Sequence, residues 1–193
     1  MTVNVYKKGI RVLGIAESFK RELPNSVLSG VVMRGDFHID GISLTPVTVG
    51  GMDATDGVLK LFRNLKRDDV NALFLNGCVI SWFNIVDLKA LFDELNLPIL
   101  CVTYEESEGL EEDIKKHFED PEGRLEIYKR LGERIPIKLQ TGYDIFLRFY
   151  GLTEDEAGVL LNRFTTHGKI PEPLRTAKLF ARTVLSSKLD LDK

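Results

Sequence analysis

The sequence predicts an α/β fold with one mixed sheet, in which three antiparallel strands come first, parallel strands follow, and helices cover both faces. One observation is a strand, a glycine turn, a helix and a second strand in succession over 71–102, which make a βαβ unit. Another is a pair of β-rich segments, Val27–Arg34 and His38–Val49, separated by the turn signal Gly35-Asp36. Amphipathic segments between and after these strands supply the helices.

The central unit begins with the short apolar run Ala72–Leu75, whose length is typical of a fully buried strand. The run stops at Asn76-Gly77, and after a loop the chain is expected to enter a helix near Asn84. The second strand is Leu97–Val102. Since ligands of open α/β sheets bind beyond the carboxyl ends of such strands, Asn76 and the loop after it mark the expected site.

The remaining elements follow in chain order. Arg11–Glu17 is predicted to be a buried first strand, so that it and the hairpin form an antiparallel meander. Downstream of the central unit we expect helices, two short strands and two more helices, at Glu108–Phe118, Pro121–Leu131, Pro136–Gln140, Ile145–Tyr150, Ala157–Phe164 and after Pro171. This order of elements is that of a ribonuclease H-like fold.

Length and composition limit the class of protein. A chain of 193 residues with 44% hydrophobic and 28% charged residues is expected to form one domain over 1–193. No apolar run approaches the ~18 residues that span a bilayer, and the N-terminus lacks the apolar core of a signal peptide. Cys78 and Cys101 form no CxxC pair, so we expect a cytoplasmic protein with reduced thiols.

The charge is unevenly distributed. The formal net charge of −3 argues against a protein that coats nucleic acid nonspecifically. However, Glu105–Glu122 is strongly acidic and Arg163–Lys188 is basic. These segments are either solvated helix faces or, at the basic end, a localised anion-binding surface.

Several blocks of the sequence resemble a known family. They are VLGIAESF, GVVMRG, DGI followed by GGMDAT, LFLNG with FNIVDL and LPIL, and GKIPEPLRTAKLFA, running from Arg11 to about Leu185. Together they resemble an uncharacterised archaeal family, the domain-of-unknown-function family numbered ninety-nine, a relative of endonuclease V. The resemblance implies the ribonuclease H-like fold and a relationship to enzymes that cut nucleic acid near a deaminated base with carboxylate-bound Mg²⁺.

Three positions that the resemblance assigns to metal-binding aspartates hold other residues. The aspartate of the first strand falls on Ala16, that of the central strand on Asn76, and that of the final helix on Lys178. A methyl group, a neutral amide and an ammonium replace three carboxylates. At an effective dielectric constant near 20, a unit charge at ~4 Å is worth about 4 kcal/mol, so we expect Mg²⁺ binding and nuclease chemistry to be lost.

Other acidic residues could form a displaced metal site. Glu17 stands beside Ala16, but adjacent strand residues face opposite sides of a sheet. Asp53 and Asp56 either line the cleft or occupy the start of a helix, as a cap and a charged first turn do. Mg²⁺ would be the cofactor of such a divergent hydrolase; otherwise no cofactor is expected.

Candidate nucleic-acid contacts lie on the last helix and in the central loop. Arg175, Lys178 and Arg182 form a basic stripe that could bind phosphate, or else Arg175 pairs with Glu172. Trp82 could stack on a base or cover the apolar face of the sheet. We therefore expect an endonuclease V-like protein without metal-dependent activity that binds DNA or RNA weakly. The alternatives are the divergent nuclease and a non-catalytic structural partner; protein partners stay unknown.

Overall fold

A computed structural model describes residues 3–191 of the chain; the side chains of 188–191, including that of Lys188, lie outside the description. The strands are β1 (Arg11–Ser18), β2 (Asn25–Arg34), β3 (Ile39–Thr48), β4 (Ala72–Asn76), β5 (Val79–Ile80), β6 (Asn84–Ile85), β7 (Ile99–Thr103), β8 (Ile135–Lys138) and β9 (Asp144–Tyr150). The helices are α1 (Ala54–Leu65), α2 (Leu88–Leu95), α3 (Glu111–His117), α4 (Glu122–Arg130), α5 (Glu154–Phe164) and α6 (Glu172–Leu191).

Seven strands form one mixed sheet in the order β3-β2-β1-β4-β7-β9-β8. The meander β1–β2–β3 is antiparallel, β4 and β7 run parallel to β1, and β9 and β8 are antiparallel again. The predicted fold is therefore confirmed, with three antiparallel strands followed by parallel ones. β1, β4 and β7 end at the same edge of the sheet, which is called the carboxyl edge below.

Helices cover both faces of this sheet. The face of β1 and β4 that carries Leu13 and Leu75 packs against α1 and α2. The opposite face packs against α5 and α6, where Phe74 of β4 meets Phe164 of α5 with ring centroids 5.8 Å apart. The burial of both faces explains why the central strands consist of unbroken apolar runs. Within residues 3–191, no helix is long and apolar enough to cross a membrane.

Two sequence blocks of the family resemblance touch each other in the fold. Gly14 in β1 lies under the start of α6, where an ideal Cβ atom would be 2.5 Å from the backbone carbon of Pro173. Glycine therefore allows α6 to approach the sheet closely enough for Ala177 to pack on Ala16. The segment Pro171–Pro173 at the start of α6 is thus positioned by β1.

The central helix starts later than the sequence predicted. Instead of entering a helix near Asn84, the chain forms a small hairpin of β5 and β6, and α2 begins at Leu88. The side chain of Asp87 caps α2 by accepting a hydrogen bond from the amide of Ala90 at 3.1 Å. The apolar spacing was correct, but the start was placed too early because Asn84 makes contacts outside this helix.

Candidate site at the carboxyl edge

Ala16 and Asn76 lie side by side at the carboxyl edge. Ile15 of β1 pairs with Leu75 of β4 in parallel register, so the next residues along the two strands are neighbours. Ala16 is buried against Val31 and Ala177, on the face that α6 covers. Asn76 is half-buried at the end of β4, on the same face by strand alternation.

Lys178 completes this group from above the sheet. It is one residue past Ala177 on α6, and its Nζ atom donates a hydrogen bond of 2.5 Å to the backbone carbonyl of Glu17. A cation therefore stands at the end of β1, next to a methyl group and near a neutral amide. The three positions that the resemblance assigned to metal ligands do come together in space.

Glu17 does not replace the missing carboxylate of Ala16. It lies within β1, paired with Leu28, and strand alternation turns its side chain toward the α1 face. Its Oε2 atom is buried and, among the described residues, has no hydrogen-bond partner. Burial raises the pKa of Glu17 above its usual value, although the charge of Lys178 and the backbone N–H of Ser81 oppose the shift.

Asp53 is held in a network that the sequence did not reveal. It occupies the N-cap position of α1 but makes no capping bond; its carboxylate accepts hydrogen bonds from Thr48 and, at 2.6 Å, from the Nδ2 atom of Asn84. The cap of α1 is instead the Oδ1 atom of Asn84, which accepts from the amide of Ala54 at 2.8 Å. Asp53 therefore stands at the start of α1, as one of the two alternatives expected, but its side chain does not cap the helix. Asn84, expected at the start of the following helix, caps α1 instead. Asp56 is exposed in the first turn of α1.

The electrostatics of Asp53 follow from this network. Burial acts to raise its pKa, but the hydrogen bonds from Asn84 and Thr48 outweigh that effect and hold the pKa of Asp53 below its usual value. Asp53 is thus an ionised carboxylate whose oxygens are occupied by protein donors.

The loop after β4 presents Trp82 in a strained turn. Ser81, Trp82 and Phe83 all have positive φ angles of 44°, 62° and 58°. The indole of Trp82 is half-buried, with the guanidinium of Arg21 3.5 Å from its ring centroid. Buried Arg124 of α4 donates to the carbonyl of Phe83 at 2.8 Å and thereby anchors the turn. Neither Arg21 nor Arg124 carried a signal in the sequence.

The three basic residues of the stripe on α6 have different surroundings. Arg175 lies 3.4 Å from the carboxylate of Glu172 and donates to the carbonyls of His167 and Ile170, in agreement with the internal-pair alternative. Arg182 is exposed one turn beyond Lys178. Of the three cations predicted to contact nucleic acid, Lys178 is the one whose side chain bonds to the carboxyl edge.

An open cleft of about 430 Å³ lies beside Asn76 at the ends of β4 and β7. Tyr104 and Lys169 line it, and Lys169 bonds to the carboxylate of Glu105 at 2.8 Å. The hydroxyl of Tyr104 is buried and without a hydrogen-bond partner among the described residues, and burial raises its pKa above the usual value. Tyr104 could not be recognised from the sequence, since nothing in a strand-end tyrosine distinguishes it from a core residue.

The expectation of reduced thiols is wrong in this structure. Cys78, in the loop after β4, and Cys101, in β7, form a disulfide whose Cα atoms are 6.3 Å apart. The sequence spacing gave no indication of this pair, because the two residues meet only when β4 and β7 pair in parallel.

The residues at the carboxyl edge do not fit a divalent cation. Mg²⁺ prefers several oxygen ligands with one or more carboxylates, whereas Ala16 offers no ligand and Lys178 offers a positive charge. Within residues 3–191, no three or more His, Cys, Asp or Glu side chains are grouped closely enough to hold a metal ion. Glu17, Asp53 and Asp56, the candidates for a displaced metal site, are thus not grouped in this way in the described part of the chain.

Comparison with known proteins identifies the family. The family model described as endonuclease dU matches residues 8–185. This chain belongs to the endonuclease dU family. A UPF0215 protein of Pyrobaculum calidifontis is 40% identical over 173 residues, covering 89% of this chain and 95% of that protein. The resemblance to an archaeal family related to endonuclease V is therefore confirmed.

Solved structures share the fold. A protein of unknown function from Archaeoglobus fulgidus superposes with a TM-score of 0.78 and 28% identity, covering 91% of this chain and 98% of that one. Endonuclease V of Ciona intestinalis, in complex with DNA that contains an inosine, has a TM-score of 0.65 and 17% identity, over 94% and 88% of the two chains. The second comparison supports the ribonuclease H-like architecture.

Proposed function

We propose that this member of the endonuclease dU family binds nucleic acid at its carboxyl edge and has lost metal-dependent cleavage. The observation that carries the proposal is the position of Lys178, whose ammonium is fixed at the end of β1 beside Ala16. A unit charge at ~4 Å is worth about 4 kcal/mol at an effective dielectric constant near 20. That charge repels a divalent cation and attracts a phosphate.

The family and a structural neighbour suggest the kind of ligand. The family name refers to deoxyuridine, and Ciona endonuclease V was solved with inosine-containing DNA. We therefore propose DNA or RNA with a deaminated base as the ligand, contacted through phosphate by Lys178 and, along the same helix, by Arg182. Binding is expected to be weak, because the net charge of the chain is −3.

The decisive experiment measures binding and cleavage on the same oligonucleotides. Labelled strands with deoxyuridine, deoxyinosine or no lesion are incubated with the protein in EDTA, Mg²⁺ or Mn²⁺. Anisotropy reports binding and a denaturing gel reports cleavage. We expect binding that EDTA leaves unchanged and no cleavage with any metal. Cleavage that requires Mg²⁺ or Mn²⁺ would refute the proposal and favour the divergent nuclease.

A matched pair of variants locates the contact. Lys178→Ala should weaken binding at low salt and reduce the slope of log K against log salt by about 1, because one phosphate contact is lost. Lys60→Ala removes an exposed lysine of α1, on the opposite face of the sheet, and should leave both quantities unchanged. Equal effects of the two variants would place binding elsewhere, and no binding at low salt would favour a structural role.

Trp82 provides a second readout, since it is the chain's only tryptophan. Arg21 occupies one face of its indole. If a base stacks there, oligonucleotides should quench the fluorescence of Trp82, and Arg21→Ala, which uncovers the ring, should increase the quenching. Unchanged fluorescence during binding seen by anisotropy would remove Trp82 from the proposed interface.

A further inference from the structure

The edge strand β3 carries an uncovered apolar row. Ile42 and Leu44 are 43% and 42% exposed, and Pro46 continues the row. The three residues pair with Val31, Ser29 and Val27 of β2, and the valines pack against α6. The row therefore lies on the α6 face, beyond the area that α6 covers.

The same residues direct their backbone groups outward. The amide of Val49 donates to Pro24 at 2.9 Å, toward β2, whereas that of Thr48 donates to the carboxylate of Asp53, away from β2. Because backbone groups alternate along an antiparallel strand, those of Ile42, Leu44 and Pro46 point away from β2 as well. β3 pairs only with β2 in the described part of the chain, so the N–H and C=O groups of Ile42 and Leu44 form an open edge.

Both ends of this open edge are closed by side chains. Arg67 donates to the backbone carbonyl of Asp40 at 2.6 Å, next to a register shift at Val32 and Met33. At the other end, the amide of Thr48 donates a hydrogen bond to the carboxylate of Asp53. The opposite edge of the sheet, β8, has four residues and carries Pro136 and Lys138, which protect an edge from pairing. β3 has no charged residue from Gly41 to Thr48.

We infer that β3 pairs with β3 of a second copy of this chain, antiparallel about a twofold axis at Ser43. Ile42 of each copy then lies opposite Leu44 of the other, and the two pairs exchange four hydrogen bonds. Pro46, which has no N–H, lies opposite Asp40, whose carbonyl Arg67 already satisfies. In this register, no backbone N–H of the paired segment lacks an acceptor, and no two like charges lie opposite each other.

This self-complementarity selects a second copy over an unrelated peptide. An unrelated strand would pair best with an edge that offers an N–H donor at every second residue, and Pro46 offers none. In the twofold dimer, Pro46 lies opposite Asp40, whose carbonyl already accepts from Arg67, so the missing N–H is not needed. The apolar side chains of Ile42 and Leu44 meet across the axis as a cross-strand cluster. Because a short strand pair buries less than the roughly 800 Å² per partner of a standard interface, we expect association in the micromolar range.

The test is the self-association of the full chain by sedimentation equilibrium over a wide concentration range. We expect a monomer–dimer equilibrium that Leu44→Pro weakens at least tenfold, since proline is tolerated at an outward-facing edge position yet removes two of the four hydrogen bonds. Leu44→Lys should do the same by placing two charges near each other. Ile135→Lys, which alters an exposed aliphatic residue on the opposite edge strand, should leave the equilibrium unchanged.

Amide hydrogen exchange gives an independent readout of the register. In the wild type, the amides of Ile42 and Leu44 should become more protected as protein concentration rises. Circular dichroism checks that Leu44→Pro is folded; if it is not, Leu44→Lys and Ile42→Lys decide the question. A chain that stays monomeric at all concentrations, or a dimer that withstands these lysine variants, would overturn the inference.

Discussion

At the scale of single residues, the carboxyl edge is organised by groups whose charges are fixed by their neighbours. Asp53 is ionised and saturated by Thr48 and Asn84, whereas Glu17 is buried with one oxygen unpartnered among the described residues. The positive charge of Lys178 opposes the upward pKa shift of the Glu17 carboxyl, and its Nζ atom donates a hydrogen bond to the Glu17 backbone carbonyl. The two carboxylates thus have opposite pKa shifts, raised for Glu17 and lowered for Asp53, for reasons that can be tested separately.

Glu17 should make the protein less stable as pH rises. Its folded pKa lies above the ordinary value of 4.5, so the folded state binds its proton more tightly than the unfolded state. Stability therefore falls as pH rises from about 4.5 through the folded pKa. Glu17→Gln, which stays neutral, should be more stable than the wild type near pH 7, and the difference should vanish below pH 4.5.

Urea unfolding of the two proteins between pH 4 and pH 7 measures this difference. Glu22→Gln, at an exposed position nearby in sequence, serves as the control and should track the wild type. A Glu17→Gln protein that is less stable than the wild type at neutral pH would mean that attraction to Lys178 outweighs the burial of the charge.

Asn84 should contribute more to the free energy of unfolding than an ordinary N-cap residue does. It is fully buried and joins Ala54, Asp53 and the carbonyl of Thr48. Asn84→Ala leaves several of these groups unsatisfied, so we expect a loss of about 2–4 kcal/mol. Asp87→Ala, at the partly buried cap of α2, should cost about 1 kcal/mol. Equal losses in thermal or urea unfolding would contradict the network.

At the scale of elements, the approach of α6 to β1 sets the geometry of the carboxyl edge. Ala16 and Ala177 are small, and Gly14 has no side chain, so the helix lies close against the strand. This close contact is what allows Lys178, one residue further along α6, to reach the backbone of Glu17. Any widening of the gap should move the ammonium away from Asn76.

Gly14→Ala should therefore destabilise the protein and weaken the proposed nucleic-acid binding together. The new Cβ would lie 2.5 Å from the backbone of Pro173, and overpacking of this kind costs about 1–3 kcal/mol. Gly9→Ala is the matched control, because an added Cβ there meets no atom within 4 Å, and its stability should be unchanged or slightly raised. A Gly14→Ala protein with wild-type stability would show that α6 can shift at no cost.

At the scale of the whole molecule, sequence patterns predicted the architecture well because they report burial directly. The apolar runs of β4 and β7 and the turn signal at Gly35-Asp36 predicted the strand–helix–strand unit and the antiparallel meander, although α5 begins at Glu154 and not at Ala157 as expected. The contacts of Asn84, the cover of Arg21 over Trp82 and the disulfide could not be predicted. Each joins residues far apart in sequence, so no local spacing reports it.

The convergence of Ala16, Asn76 and Lys178 leads to the last prediction. If these positions together replaced a metal site, then Ala16→Asp, Asn76→Asp and Lys178→Asp in one chain should create a cluster of carboxylates at the carboxyl edge. Without metal, mutual repulsion and the burial of the carboxylate introduced on β1 should lower the melting temperature. Mn²⁺ or Mg²⁺ should then raise it, because a cation that binds only the folded state stabilises it.

Calorimetry in EDTA and at increasing Mn²⁺ compares this triple variant with the wild type. The wild type should show no shift, since a methyl group, an amide and an ammonium offer the cation no favourable charge. The double variant that retains Lys178 isolates the contribution of the ammonium and should respond far less than the triple variant. If all three proteins respond alike, the three positions do not act as one site, and the proposed loss of cleavage would need a different physical cause.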